Sequence, residues 1–392
     1  MSTQSIKQQS DDHIMPSYSR NELVLAQGKG ATVKDLDGKE YIDFGSGIGV
    51  NSLGFCDEKW LAAVTAQAGL LQHCSNLYYS VPQSLLAQKL SELTGYEKAF
   101  FANSGAEANE CAIKLARKYS FDKYGGTRNK IITLKNSFHG RTVTTITATG
   151  QEAFHNYFFP FTPGFVYADP EDISDLKAKL DEDVCAVMFE FIQGEGGVVP
   201  LDVDYVEELF ALCGERDILT IADEVQSGIG RTGTVLASEL FGVKPDITTV
   251  AKGLGGGLPI GACLAGEELA QVLSSGMHGS TFGGNPVACA GALAVLDRLG
   301  NEAFLYEVTH KGDILAEALE DLDGIAAVTG AGLMLGAELE TAQAKDIAAA
   351  ALKEGLIVLT AKDKLRFLPP LVITEEELKK GIAILTKVLK GE

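Results

Sequence analysis

The chain has 392 residues, 46% of them apolar, and a formal net charge of −20; it is long enough for two lobes, or for one large domain with a satellite. That charge argues against nucleic acid and against anionic membranes, both of which need a cationic surface, and no apolar run approaches the roughly 18 residues that span a bilayer. Seven cysteines without C-x-x-C spacing read as reduced thiols, no His/Cys group has zinc-ligand spacing, and residues 1–17 lack the apolar core of a signal peptide, so a cytoplasmic protein without a bound metal is expected.

After the polar leader, Gly28-Lys29-Gly30 and Asp37-Gly38 punctuate short strands, one of them over 41–44. Pro82 opens a helix through 93, with Leu85, Leu86 and Leu90 on one face. The middle then alternates. Strands are expected over 98–102, 130–134, 185–192, 219–225 and 247–250, and helices over 107–119, 172–180 and 203–215. Such alternation predicts an α/β fold, an open and mostly parallel sheet with helices on both faces, whose ligands sit beyond the carboxyl ends of the strands. A helix over 285–299 leaves this domain, and the remainder reads as helix, strands over 330–340 and 356–360, and helix. The expected organisation is a first small-lobe segment over 1–50, a large domain over 51–295 and a C-terminal small domain over 296–392.

Three polar clusters fall at strand ends. Asn103-Ser104-Gly105-Ala106-Glu107 follows the first strand of the alternation, and a helix N-terminus there would offer free N–H groups to a phosphate; equally, Ser104 and Glu107 make a capping box that needs no ligand. Asp223-Glu224-Val225-Gln226 ends an apolar strand, where acids are commonly solvated. Lys252 lies between an apolar strand and Gly253-Leu254-Gly255-Gly256-Gly257, and by itself it could simply extend to solvent. Together they suit one chemistry. A buried lysine forms a Schiff base with an aldehyde cofactor and shuttles protons, a carboxylate such as Asp223 keeps a pyridine nitrogen protonated, and the helix N-terminus takes the phosphate of pyridoxal 5'-phosphate.

The sequence resembles the class III (subgroup II) aminotransferases over nearly its whole length. The resemblance rests on Asn103 to Ala108, Phe138-His139-Gly140-Arg141-Thr142, Gln193-Gly194-Glu195-Gly196-Gly197, Asp223-Glu224-Val225-Gln226, Lys252-Gly253 and Thr281-Phe282-Gly283-Gly284-Asn285-Pro286. It implies the aspartate-aminotransferase-like fold (fold type I) and a homodimer with shared active sites. It also implies that Ser104, Gly105 and Ala106 bind the phosphate, that Phe138 and Val225 flank the ring, and that Asp223 and its neighbour Glu224 belong to the cofactor site. Gln226 would reach the phenolic oxygen, and Thr281 the phosphate of the neighbouring subunit. Lys252 would be the Schiff-base lysine. Arg141 would hold the carboxylate distal to the reacting amine, Arg366 the α-carboxylate of glutamate, and Glu195 would neutralise Arg366 when the other substrate is bound.

Ser75-Asn76-Leu77-Tyr78-Tyr79, Gly47-Ile48-Gly49-Val50-Asn51 and His278-Gly279-Ser280-Thr281 look most like the acetylornithine-specific branch, with 2-oxoglutarate as acceptor and Ser280 and Tyr18 near the acyl group. Phe191 and Phe55-Cys56 depart from the family pattern. Ornithine, succinylornithine, succinyl-diaminopimelate, 4-aminobutyrate and glutamate semialdehyde stay open as substrates. A catalytically inactive scaffold with this fold would not need the Asp223 and Lys252 pair. A nicotinamide oxidoreductase is the remote alternative, because Gly228-Ile229-Gly230-Arg231-Thr232-Gly233 matches G-x-G-x-x-G, although four polar residues separate it from its strand.

Overall fold

The computed structural model describes residues 2–391. Its centre is a seven-stranded sheet in the order Lys98–Ala102, Gly261–Ala265, Ile247–Val250, Leu219–Asp223, Val184–Phe189, Lys130–Leu134, Phe165–Ala168. Gly261–Ala265 runs antiparallel to both of its neighbours, and the other pairings are parallel. Val184–Phe189 and Leu219–Asp223 are buried at every position, as apolar strands covered on both faces must be. One apolar cluster joins Ile132, Val187 and Ala222 to Val206 and Leu209 of the helix Val203–Arg216. A second joins Ile131, Met188 and Ile221 to Ile113 and Ala116 of the helix Gly105–Tyr124.

Two small sheets flank this body. Leu25–Lys29, Thr32–Asp35 and Glu40–Asp43 form a meander, and Leu356–Ile357 adds to it in parallel, so the two ends of the chain share a sheet. The other sheet contains Ile325–Ala331, Met334–Leu339, Lys364–Phe367 and Leu359–Ala361. A single apolar cluster runs through Phe44, Leu254, Leu296 and Leu385. The division at residues 50 and 295 is therefore proposed as one of topology, not of separate cores.

Several elements differ from expectation. The strand expected over 330–340 is a hairpin turned at Gly332, where φ is +52° and an added Cβ would lie 2.5 Å from the Thr232 carbonyl carbon. The one expected over 356–360 is two short strands in different sheets. The strand expected over 185–192 stops at Phe189, and Ile192–Gln193 pairs instead with Val199–Pro200. The helix Pro286–Leu299 does not leave the large domain: it packs on Glu58–Ala68, on Val81–Thr94 and on the turn Lys252–Gly255. Its small residue Gly291 admits Trp60, whose indole N–H donates to Gly255 O at 3.0 Å. The polar leader contains a helix, Thr3–His13, that buries no side chain. No helix among the described residues is long and apolar enough to cross a membrane.

Candidate active site

The carboxyl ends of the parallel strands open onto a cavity of about 480 Å³. Its wall includes Ser104, Gly105, Ala106, Phe138, Arg141, Glu195, Asp223, Val225, Gln226 and Lys252, gathered from separate segments of the chain.

The helix N-terminus comes first. Ser104 caps Gly105–Tyr124, its hydroxyl accepting from Glu107 N at 3.2 Å, while Glu107 Oε2 accepts from Asn103 N at 2.7 Å. The Ser104 cap is therefore present, but Glu107 reaches back to Asn103 N and not to the N–H of Ser104, so the expected capping box is only half made. The N–H groups of Gly105 and Ala106 stay outside the helical ladder, in the cavity wall. A Cβ at Gly105 would lie 2.6 Å from Val225 Cγ1, so only glycine lets these two segments close on each other.

Asp223 ends its strand where the sequence expectation carried it on to 225. Its Oδ1 accepts from Val225 N at 3.0 Å, turning the chain. Its Oδ2 accepts from Asn109 Nδ2 at 2.7 Å and lies 2.8 Å from His139 Nδ1. Asn109 Oδ1 in turn accepts from the Thr249 hydroxyl at 2.6 Å. The carboxylate is buried, oriented by three donors, and next to the cavity.

Lys252 sits at φ +42°, in the left-handed region, immediately after the Ile247–Val250 strand and Ala251. Backbone held this way aims the side chain where an ordinary turn would not. Burial pushes its amine down to about 8, with Arg366 adding to the effect and Glu195 and Asp223 opposing it.

Beyond the lysine, Arg366 Nη1 donates to Glu195 Oε1 at 2.5 Å and to Gln226 Oε1 at 3.3 Å. Burial alone would raise the Glu195 carboxyl; Arg366, Lys252 and Gln226 together bring it below the usual range, which keeps it ionised. Arg141 stands differently: the arginine ion pairs among the described residues are those of Arg298 and Arg366. Its guanidinium lies over two rings, Phe138 at 5.7 Å and Phe154 at 4.1 Å.

Some expected residues are not in this cavity. Glu224 is turned away from it and buried, its carboxylate accepting from Ala237 N and from Ser238 N at 2.9 Å, and this is a correction of its expected place in the cofactor site. Tyr18 is 73% exposed and Thr281 is also exposed, and neither lines the cavity of its own chain. Ser280 is bonded to Asn103 Nδ2 and Gly283 N instead. The loop 228–233 is structural packing. A Cβ on Gly230 would lie 2.5 Å from Leu299 Cδ2, and Arg231 is buried with Nη1 donating to Leu333 O and Pro369 O. No helix starts at these glycines, so the dinucleotide-binding reading falls.

Three wall residues were missed as site residues. Asn109 stood in the helix expected over 107–119 and His139 inside a quoted block, but their bonds to Asp223 join segments far apart in sequence. Glu190 was read as part of a strand; its carboxyl accepts from Phe138 N at 2.8 Å and Gly194 N at 3.2 Å, and burial raises its pKa. An acid between Phe189 and Phe191 was the available signal.

An amine held near a fixed carboxylate, with backbone N–H groups at one end and stacking side chains between, fits a flat cationic ring bearing a phosphate. The comparisons agree. A family model described as aminotransferase class-III matches residues 14–389. An acetylornithine aminotransferase of Haemophilus ducreyi is 52% identical over 391 residues, covering 99% of each chain, and one of Caldanaerobacter subterraneus is 49% identical over 96% of this chain and 97% of its own. Among solved structures, the N-acetylornithine aminotransferase of Stenotrophomonas maltophilia is 38% identical with a TM-score of 0.85, covering 98% of both chains. The ornithine aminotransferase of Toxoplasma gondii is 32% identical with a TM-score of 0.95, covering 100% of this chain and 96% of that one. A second structure of that Toxoplasma enzyme describes pyridoxal phosphate at partial occupancy in the active site. This chain belongs to the class-III aminotransferases, the pyridoxal-phosphate enzymes of fold type I.

Proposed function

We propose that this enzyme moves the δ-amino group of N-acetyl-L-ornithine to 2-oxoglutarate, giving N-acetyl-L-glutamate 5-semialdehyde and L-glutamate, a transamination of arginine biosynthesis. The observation that carries the reading is the asymmetry of two arginines around Lys252: Arg366 is masked by Glu195, and Arg141 has no acid partner among the described residues. When bound, pyridoxal phosphate supplies the electron sink that lets the C–H bond beside the amine ionise. Gly105 and Ala106 would take its phosphate, with Ser104 shaping the turn; Phe138 and Val225 would enclose its ring and Asp223 would hold the ring nitrogen. Gln226, which accepts from Arg366, would reach the phenolic oxygen. Lys252 holds the cofactor and then carries the proton to and from the substrate carbon.

The donor has one carboxylate, far from its reacting amine, and Arg141 would bind it through a planar, bidentate fork. Arg366 then needs no substrate partner, and Glu195 keeps its charge balanced. Glutamate brings a second carboxylate next to its reacting amine. That group would replace Glu195 on Arg366 while the distal one again meets Arg141. The names of the nearer relatives favour an acylated donor over free ornithine.

Comparing kcat/KM for N-acetylornithine, N-succinylornithine, ornithine and 4-aminobutyrate, with 2-oxoglutarate as acceptor, tests the assignment. Free ornithine carries an α-ammonium that must be desolvated without a partner, at about 1–3 kcal/mol, so it is expected to trail the acylated donors by roughly ten- to a hundredfold. Ornithine or 4-aminobutyrate outrunning both acylated donors would refute the acylornithine reading and leave the aminotransferase intact.

We further propose a homodimer. Leu77, Tyr78, Tyr79 and Phe282 are 86%, 70%, 101% and 61% exposed in the single chain, an apolar surface that a partner would cover. Thr281, beside Phe282, would then reach the neighbouring active site. Sedimentation at twice the 41.6 kDa of the chain is expected, and a monomer at micromolar concentration rules the dimer out.

A further inference from the structure

The loop that follows the helix Val143–Ala148 comes back over the active site, and its anchoring is specific. His155 Nε2 lies 2.9 Å from Ile146 O, and its ring packs against Phe161 at 5.3 Å and Tyr167 at 5.7 Å. Thr162 N donates to the Thr147 hydroxyl at 3.2 Å, and the Thr144 and Thr162 hydroxyls are 3.1 Å apart. On the other side, Gln151 Nε2 donates to Asn136 O and Ser137 O. Between these anchors stands Phe154, half-buried, edge-on to Phe138 with ring centroids 5.8 Å apart.

The guanidinium of Arg141 lies 4.1 Å from the centroid of Phe154. This is close cation–π contact, which holds the cation against the electron-rich face of a ring without an acid partner. An arginine that receives a carboxylate from both substrates is best held without an acid partner, which would otherwise have to be displaced in each half-reaction. Arg366 is held the other way, by Glu195.

We propose that Phe154 is a positioning residue for Arg141. The ring fixes the plane of the guanidinium and leaves its N–H edge open for the distal carboxylate, so Phe154 sets the preference for donors that carry that carboxylate. The inference rests on the reading of Arg141 as the carboxylate site.

Phe154→Leu keeps apolar bulk and removes the π face, whereas Phe154→Tyr keeps both. Each variant is assayed with N-acetylornithine and with N-acetyl-1,4-diaminobutane, which lacks only the carboxylate, and Arg141→Ala serves as the reference. For N-acetylornithine, kcat/KM is expected to fall about three- to thirtyfold in Phe154→Leu, mostly through KM, and to stay within twofold in Phe154→Tyr. For the decarboxylated donor all three Phe154 enzymes, wild type included, should agree within twofold. Arg141→Ala losing its discrimination between the donors while Phe154→Leu keeps it overturns the role of Phe154 alone. Equal losses of Phe154→Leu with both donors make Phe154 a structural residue. If Arg141→Ala discriminates as well as wild type, the carboxylate site is misassigned and the clamp falls with it.

Discussion

Lys252→Ala is expected to lower turnover by several orders of magnitude while the protein still takes up pyridoxal phosphate non-covalently. The same amine makes the covalent link and moves the proton, and one group removed from both tasks leaves no substitute within the cavity: the neighbouring acids Glu195, Asp223 and Glu190 are each committed to other donors. The phosphate and ring contacts come from other segments and survive the change, so retention and turnover should separate. Borohydride reduction followed by peptide mapping reads this directly: wild type is labelled at Lys252 and the alanine variant is not. Wild-type labelling at the same peptide in Lys252→Ala would end the assignment. The amine carries a pH signature as well. Only its neutral form is nucleophilic, and burial brings its pKa down to about 8 from the ordinary ~10.4. The rate at which the apoprotein links pyridoxal phosphate should therefore climb with pH and level off above about 8. A rate that keeps rising toward pH 10 would mean an ordinary, solvated lysine.

The large sheet was legible because its strands are apolar runs set between amphipathic helices, a pattern that burial on both faces imposes. Gly261–Ala265 escaped because Gly-Ala-Cys-Leu-Ala, following a glycine run and Pro259, has neither β-branched residues nor alternation. Its antiparallel pairing with Lys98–Ala102 and Ile247–Val250 is set by tertiary contact. The hairpin at Gly332 was read as one strand because both arms are apolar and the turn shows only as Gly330 and Gly332 among many glycines.

Within the cavity, Lys252 and Gly105 were accessible from local patterns, and Phe138 and Arg141 only through the family resemblance. The misplaced Glu224 was avoidable. Successive side chains of an extended segment point to opposite faces, so an inward Asp223 already sends Glu224 the other way, where it caps the turn Ala237–Phe241. The clamp on Arg141 was not legible at all. Phe154 lies in a loop without periodicity, and only the anchoring of His155 and Thr162 brings it back over Phe138.

Asp223→Asn is expected to slow proton abstraction by several factors of ten, each worth about 1.4 kcal/mol of transition-state stabilisation, and to weaken cofactor retention far less. The reason is in the donor set. Asn109 Nδ2 and His139 Nδ1 address Oδ2, and Val225 N addresses Oδ1, so every neighbour offers the carboxylate a hydrogen. An asparagine has one acceptor end. With its NH2 toward Asn109 and His139, donors face each other at 2.7–2.8 Å; with the amide flipped, the clash moves to Val225 and the NH2 replaces the oxygen that would serve the ring nitrogen. Either orientation leaves a buried donor unpaired at about 1–3 kcal/mol, so a modest fall in melting temperature should accompany the change. The kinetic loss should exceed it greatly, because the missing negative charge acts where positive charge must be held during the reaction. Single-turnover half-reactions with N-acetylornithine and with glutamate separate the two effects, since both run through the same ring and use different carboxylate contacts. Equal and large losses in both are expected. Rates within threefold of wild type in both would return Asp223 to a structural role, bridging Asn109, His139 and Val225 and nothing more.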